Sequence, residues 1–326
     1  PEVDRTDPGA GRRDGGQEHG MNALTTTRTI ADFEAGIHTD IPAELYHRRE
    51  LGVASAGVLR RLAEQTPAHY RAWVDGTDED DTQDKAFGRA YHDRVLLPGL
   101  FATRYVSEPA DAPARPTDAM RNAKNPSASS IERVAFWNDW DTKNAGKVVL
   151  SAECFALIET MYAALMRDPY IADLFEDGDS EVTLRWNDEE TGLRCKARAD
   201  RWNRRLRFMA DLKSTKDASP RGFARSVVSY GYDITHAHYS EGAKACGEPI
   251  EHYKIVAQEK KAPYLAAVYE LDAPAESRGY EIRQRSMETM AECLRSGTWP
   301  GYPRGTQSLS LPGWAIANEM EISYVD

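Results

Sequence analysis

The clearest pattern in the chain is the alternation of apolar and polar positions through residues 181–215, EVTLRWNDEETGLRCKARADRWNRRLRFMADLKST. Val182, Leu184 and Trp186 alternate with Glu181, Thr183 and Arg185. Leu193, Cys195, Ala197 and Ala199 alternate with Arg194, Lys196, Arg198 and Asp200, and Leu206, Phe208, Ala210 and Leu212 leave Arg207, Asp211 and Lys213 on the other parity. A period of two marks a strand with unlike faces, so the stretch predicts three consecutive strands with turns at 187–192 and 202–205. Two further strands are expected at 252–258 and 264–271, joined by the turn EKKAP.

Helical spacing surrounds this core. Residues 41–46 read as a helical turn, Ser55 caps a helix through Val58, Leu59 and Leu62, and Thr66-Pro67 opens another containing Tyr70 and Trp73. Phe87, Tyr91 and Val95 predict a helix over 85–97 that sets Gly88 and His92, four apart, on one face. Ser151 caps a helix through Phe155, Ile158, Tyr162 and Leu165 to Arg167, ending before Pro169. Helices are expected at 220–230 and 236–246, flanking the turn Gly231-Tyr232, and a long one from Ala273 or Glu276 to Ser296. A break at 299–301 leads into the tail. The acidic run 75–84 reads as a solvated loop and the Pro-, Ala- and Ser-rich stretch 108–130 as an irregular loop. Residues 1–29 read as a disordered leader containing a candidate start at Met21, and 30–326 as a single domain. The expected fold class is α/β (α+β), a central mixed sheet flanked by helices.

Composition narrows the partners. The chain has 326 residues, 41% hydrophobic and 29% charged, with a formal net charge of −11. That balance excludes a protein that coats nucleic acid over its whole surface and permits a local basic channel. Residues 194–207 hold seven cations (Arg194, Lys196, Arg198, Arg201, Arg204, Arg205, Arg207) against one acid, which points to a polyanion received there. The four cysteines lack the short spacing of zinc or iron–sulfur ligands, so no iron–sulfur cluster is expected. No signal peptide is visible and no apolar run approaches about 18 residues, so no membrane partner and a cytoplasmic protein are expected.

Side chains two apart on a strand share a face, so Asp211 and Lys213 project together, and an antiparallel neighbour can bring Asp200 beside them. Carboxylates are hard ligands suited to Mg²⁺ or Mn²⁺, the Leu212 carbonyl could add an oxygen, and a lysine beside such a cation can orient a water for attack on a phosphate. An Asp and a Lys at this spacing are more often a solvated pair, and His92 alone reads more readily as a packed or exposed helical histidine than as a ligand. The strong strand pattern and the neighbouring cations favour chemistry.

The string Ala199-Asp200, an eleven-residue step, then Asp211-Leu212-Lys213 resembles the PD-(D/E)xK nuclease signature, with Ala199 where proline often stands. More closely, the chain resembles the exodeoxyribonuclease VIII (RecE-type) nuclease family of the RecB-like group from about Ile41 to Trp314. The ordered matches are LYH (45–47), GRAYHDRVLLP (88–98), KVVLSAE (147–153), ETGLRCKARAD (190–200), MADLKST (209–215), YDITHAHYSEG (232–242) and SLPGWA (310–315). The resemblance implies a restriction-endonuclease-like core and a Mg²⁺-dependent DNA exonuclease, with Mn²⁺ as a substitute. It implies 5′-to-3′ digestion of linear double-stranded DNA that leaves 3′ overhangs for recombination. It assigns His92, Glu181, Asp200, Asp211 and the Leu212 carbonyl to metal binding and Lys213 to catalysis. Arg198 and Thr215 are assigned to DNA contact or site support. In the family's Q-x-x-x-Y helix motif Tyr239 matches the tyrosine, while Thr235 stands at the glutamine position, with His236 or His238 as substitutes. The implied partners are double-stranded DNA ends, other copies in a homo-oligomer such as a tetramer, and a RecT-like single-strand annealing protein in a bacterial or phage-infected cell. The rival readings are an endonuclease or CRISPR-associated single-strand exonuclease of the same superfamily, and a catalytically silent DNA-end-binding protein.

Overall fold

A computed structural model of the chain describes residues 29–76 and 83–311. The leader, Met21, most of the acidic run and the tail beyond Leu311, including most of SLPGWA, lie outside the described residues. Along the chain come β1 (Gly36–His38), α1 (Ala43–Tyr46), β2 (Val53–Ala54), α2 (Ala56–Glu64), α3 (Pro67–Val74), α4 (Gln83–Leu96) and α5 (Pro98–Arg104). Next are β3 (Tyr105–Ser107), α6 (Asp118–Arg121), α7 (Ala128–Lys143), β4 (Val148–Leu150), α8 (Ala152–Leu165) and α9 (Pro169–Glu176). The core then follows as β5 (Asp179–Asn187), β6 (Arg194–Asn203), β7 (Phe208–Thr215), α10 (Pro220–Tyr230), α11 (Tyr232–Ala245), β8 (His252–Glu259), β9 (Ala266–Tyr269) and α12 (Ala273–Ser296).

The central sheet runs β1-β5-β6-β7-β8-β9, with β2 paired to β6; β3 and β4 form a separate two-stranded sheet. β5, β6 and β7 are successively antiparallel and β8 returns parallel to β7 through the α10–α11 crossover, so the sheet is mixed as expected. Helices cover both faces. Val58 and Leu59 of α2, Phe223 of α10, Ile234 of α11 and Met287 and Met290 of α12 pack with Val182, Leu184, Ala197 and Ile255. On the other face Tyr91 of α4, Phe101 of α5, Ile158 and Met161 of α8 and Ile171 of α9 pack with Phe208, Ala210, Leu212 and Val256. β5 is closed to solvent at Thr183 as well as at Leu184, because Arg198 donates to the Thr183 hydroxyl and holds the segment at Ile41 over that face.

Local chemistry sets the ends of these elements. Ser55, Ser151, Ser219 and Asp272 each accept a backbone N–H of the helix they precede. Gly231, at φ 64°, ends α10 and starts α11. The second helix therefore begins at Tyr232, four residues before the expected start. Trp202 and Asn203, expected in a turn, continue β6, and Leu206 and Arg207 lie in the turn ahead of β7. Helices α5, α7 and α9 and strands β1 to β4 were not anticipated. The stretch 108–130 is not wholly irregular: it contains α6 and the first turn of α7.

Side-chain contacts fix α4 on the sheet and on α8. The Tyr91 hydroxyl donates to the Gln258 side chain of β8, whose amide donates to the carbonyls of Met161 (2.9 Å) and Tyr264 (3.0 Å). Arg94 donates twice to Glu159 of α8, at 2.7 and 3.0 Å, and lies 3.5 Å over the Tyr162 ring. A fully satisfied buried amide is costly to disturb, so these contacts hold the rotation of α4 on either side of His92.

Helices α11 and α12 approach most closely at Gly279, where a Cβ would meet the Asp233 carbonyl oxygen at 2.3 Å. Backbone cannot swing aside as a side-chain tip can, so Gly279→Ala is expected to destabilise by about 1–3 kcal/mol. Chemical denaturation checks this, and an unchanged midpoint refutes the close approach.

Candidate metal and phosphodiester site

The site forms where the sheet departs from regular pairing. In β5–β6 the pairs Ser180↔Arg201 and Val182↔Ala199 flank Glu181 and Asp200, which therefore stand opposite one another. Ala199 and Trp202 share one buried cluster although three positions apart, so the strict alternation of β6 is broken at Asp200 and Arg201. Glu181 has φ 55°, a left-handed conformation that a glutamate adopts only under constraint. The β6–β7 ladder stops at Arg201↔Ala210. In place of the next backbone bond, Asp200 Oδ2 accepts the Leu212 N–H at 2.8 Å. The strand pair splays at this point, and the carboxylates occupy the opening.

His92 of α4, Glu181 of β5 and Asp200 of β6 bring one ligand atom each to within 4.8 Å of one another. His92 Nδ1 is 3.6 Å from Asp200 Oδ2. His92 lies beside the Leu212 backbone, whose N–H is given to Asp200. Asp211 lies outside the triad: its Oδ2 sits 2.6 Å from Lys213 Nζ, and the Asp200 charge acts on it. Lys213 in turn lies over Tyr232, 5.4 Å from the ring centroid.

The electrostatics are those of crowded carboxylates. Burial and the Asp200 charge push Glu181 up to about 7, against the opposing pull of Arg198. Burial pushes Asp211 up to about 7 too, with Lys213 opposing and Asp200 reinforcing. Burial lowers His92, leaving a neutral imidazole with a lone pair to give. Burial also acts to lower Lys213, but Asp211 and Asp200 outweigh it and hold the lysine above its ordinary value. Two buried carboxylates pushed up towards neutrality and a neutral histidine fit a hard divalent cation, which would supply the missing positive charge. The His/Glu/Asp cluster could coordinate such a metal.

The remaining expected residues divide. Tyr239 lines the same cavity of about 520 Å³ as Tyr46, Gly88, His92, Glu181 and Asp200. Arg198 borders the cavity but is a buried strut: it donates to Thr183 Oγ1 at 2.9 Å and the Ile41 carbonyl at 2.6 Å, lies 3.8 Å from Glu181, and stacks on Tyr46. Thr235 donates to the Gly231 carbonyl of its own helix at 3.1 Å. His236 packs against Tyr253 and Tyr280 with Glu276 3.8 Å away, and His238 holds the Lys196 carbonyl beneath Trp186. Thr215 caps the turn at Asp217. None of Thr215, Thr235, His236 and His238 joins the triad.

The seven cations of 194–207 do not make a basic channel. Lys196 donates to the carbonyls of Tyr46 and Arg48, Arg201 to those around Gly178, and Arg204, Arg205 and Arg207 pair with Asp179, Asp177 and Glu251. β6 is long enough to carry half of the cluster to the far end of the strand, where other acids neutralise it. The positive charge beside the site comes instead from separate segments. Arg48, Arg60, Arg61 and Lys85, with the N-terminus of α2 at Ser55 and Gly57, line a cavity of about 230 Å³. Tyr46, His47 and Lys85 border both this cavity and the one holding the triad. A cavity of about 540 Å³ around Asp188, Glu190 and Arg283 contains none of the triad.

A mixed sheet sandwiched by helices, split at the carboxylates of two adjacent strands and backed by a lysine, defines a PD-(D/E)xK, restriction-endonuclease-like core. The family model described as the PDDEXK-like domain of unknown function, DUF3799, matches residues 55–310, and the chain belongs to that family. Among solved structures, one described as a candidate exonuclease from Eubacterium rectale is similar at 14% identity and a TM-score of 0.47, covering 82% of this chain and 97% of that one. No curated protein matches. No helix among the described residues is long and apolar enough to cross a membrane.

Glu181 titrates near 4.5 when unfolded and about 7 when folded. The raised value means that the metal-free fold binds its proton more tightly, so this contribution is fully favourable below pH 4.5 and is lost as pH rises through 7. Glu181→Gln is therefore expected to stabilise the metal-free protein at pH 8 by about 1–3 kcal/mol and to abolish stabilisation by added Mn²⁺. Thermal unfolding with and without metal tests both; a wild type indifferent to metal, or a variant that gains nothing at pH 8, contradicts the assignment.

Proposed function

We propose that the protein is a Mg²⁺-dependent exodeoxyribonuclease of the exodeoxyribonuclease VIII (RecE-type) kind, acting 5′-to-3′ on linear double-stranded DNA and leaving 3′ overhangs for recombination. The observation that carries this reading is the His92–Glu181–Asp200 triad beside the Lys213–Asp211 pair. Bound Mg²⁺, or Mn²⁺ in its place, would supply Lewis-acid charge at the scissile phosphate and a lowered water pKa. His92, Glu181, Asp200 and Asp211 hold that charge at the split in the sheet, with the Leu212 carbonyl beside them. Lys213, kept protonated by Asp211 and Asp200, orients the attacking water and stabilises charge developing on the phosphate. The cations around Lys85 offer the polyanion a path into the site, and Tyr239 lines that path.

The same reading takes 30–326 as one catalytic domain in the cytoplasm of a bacterial or phage-infected cell. It includes a closed homo-oligomer such as a tetramer and transfer of the product strand to a RecT-like annealing protein. These rest on the resemblance of the ordered motifs. The absence of closely spaced cysteines supports a site without an iron–sulfur cluster.

Digestion of end-labelled linear duplex and covalently closed circles, with Mg²⁺ or EDTA, tests the function. Linear DNA alone should be degraded, only with metal, and Asp200→Asn and Lys213→Ala should each slow it by roughly 100-fold or more. Cleavage of closed circles makes the protein an endonuclease. End binding without cleavage across several divalent metals makes it a silent end-binding protein. For the basic path, Lys85→Ala is expected to lower the salt slope of DNA binding by about 1. An unchanged slope places the DNA elsewhere.

A further inference from the structure

Tyr253 has no part in the motifs, yet it is buried against the centre of the site. On β8 it pairs with Met209 of β7, two residues before Ile255 pairs with Asp211, so in this parallel ladder Tyr253 and Asp211 are diagonal neighbours on one face. Such a diagonal is within reach of a tyrosine. The side chain is 4% exposed, and its hydroxyl lacks a partner in good hydrogen-bond geometry, as does Asp211 Oδ2. A buried hydroxyl without a partner is expensive, and this one feels the Asp211 charge: burial raises the Tyr253 hydroxyl well above its ordinary value and Asp211 raises it further. The ring has little freedom to turn away: Tyr239 meets it edge-on at 6.0 Å and His236 packs on it at 5.2 Å, both from α11.

We infer that Tyr253 is a positioning residue whose hydroxyl donates to the Asp211 carboxylate, holding it aimed at the metal site while Lys213 attends to the water. The inference rests on the metal-site reading above. It also gives α11 a task that its own side chains do not perform at the triad: Tyr239 and His236 act through the tyrosine that they clamp. A phenol suits the place because it donates one hydrogen bond to a carboxylate without adding a charge that would compete with the cation.

The test is Mn²⁺ titration by calorimetry on the full chain: wild type, Tyr253→Phe, Tyr253→Leu, Asp211→Asn and the Tyr253→Phe/Asp211→Asn pair, each with a thermal melt. Both Tyr253 variants should bind Mn²⁺ roughly 10- to 100-fold more weakly, as removal of a residue behind a metal ligand does. The double variant should bind no more weakly than Asp211→Asn alone, because the hydroxyl acts only through that carboxylate. Nuclease turnover by Tyr253→Phe should recover at saturating Mn²⁺, which a packing defect would not allow. Wild-type affinity in a folded Tyr253→Phe overturns the inference and leaves the nuclease reading standing. A further loss in the double variant also overturns it, because the tyrosine then acts elsewhere. A wild type that binds no Mn²⁺ overturns both.

Discussion

The site depends on one substitution in the hydrogen bonding of the sheet, in which the Asp200 carboxylate takes the Leu212 N–H that a β6–β7 ladder would otherwise have used. A backbone donor at that depth must be satisfied, and here a charged side chain satisfies it. The exchange spreads the strands and leaves space for Glu181, Asp200 and Asp211 to face one another. It also ties Asp200 to the backbone of the residue between Asp211 and Lys213. Any shift of Asp200 therefore reaches the lysine as well.

Holding this arrangement without a cation is costly, and the surroundings are built to bear it. Glu181 sits in a strained backbone conformation and both it and Asp211 are pushed towards protonation. Opposing this are an unusually well-satisfied frame: Gln258 binds α4 and α8 to the sheet, Arg94 grips Glu159, and Arg198 ties Glu181 to the segment before α1. His92 is thus aimed from a helix whose rotation is fixed on both sides. The stability of the frame and the reactivity of the opening are two consequences of the same packing.

Much of this was legible because the core strands alternate cleanly. Val182, Leu184 and Trp186 identified β5, and Asp211 and Lys213 were correctly set side by side on β7. The break in β6 was not legible, because alternation assumes the regularity that Asp200 and Arg201 interrupt. Strands of two or three residues, such as β2 and β3, are too short to display any period. Helix α7 was hidden for another reason: Ile131 and Phe136 remain exposed while Trp137 is buried, so no single apolar stripe marks it. His92 has no intrinsic signature. Only its match to a motif, G-x-x-x-H, singled it out, and α4 then carried it to the carboxylates.

The cation cluster shows why charge counted along a sequence is a poor guide to a surface. Arg204 and Arg205 are close to Asp200 in sequence, yet a strand advances about 3.3 Å per residue and the turn carries them away to Asp179 and Asp177. Lys85, Arg60 and Arg61 are distant from Asp200 in sequence and converge because α2 and α4 border one cavity. In a chain of net charge −11 this convergence has a consequence beyond neutralisation. The cavity that gathers these cations shares Tyr46, His47 and Lys85 with the cavity of the triad. On the function proposed above, a phosphate drawn in by the arginines would already lie beside the carboxylates, which could accept it only with a cation in place. Electrostatic attraction at the entrance and repulsion at the centre would then together make productive binding conditional on the metal.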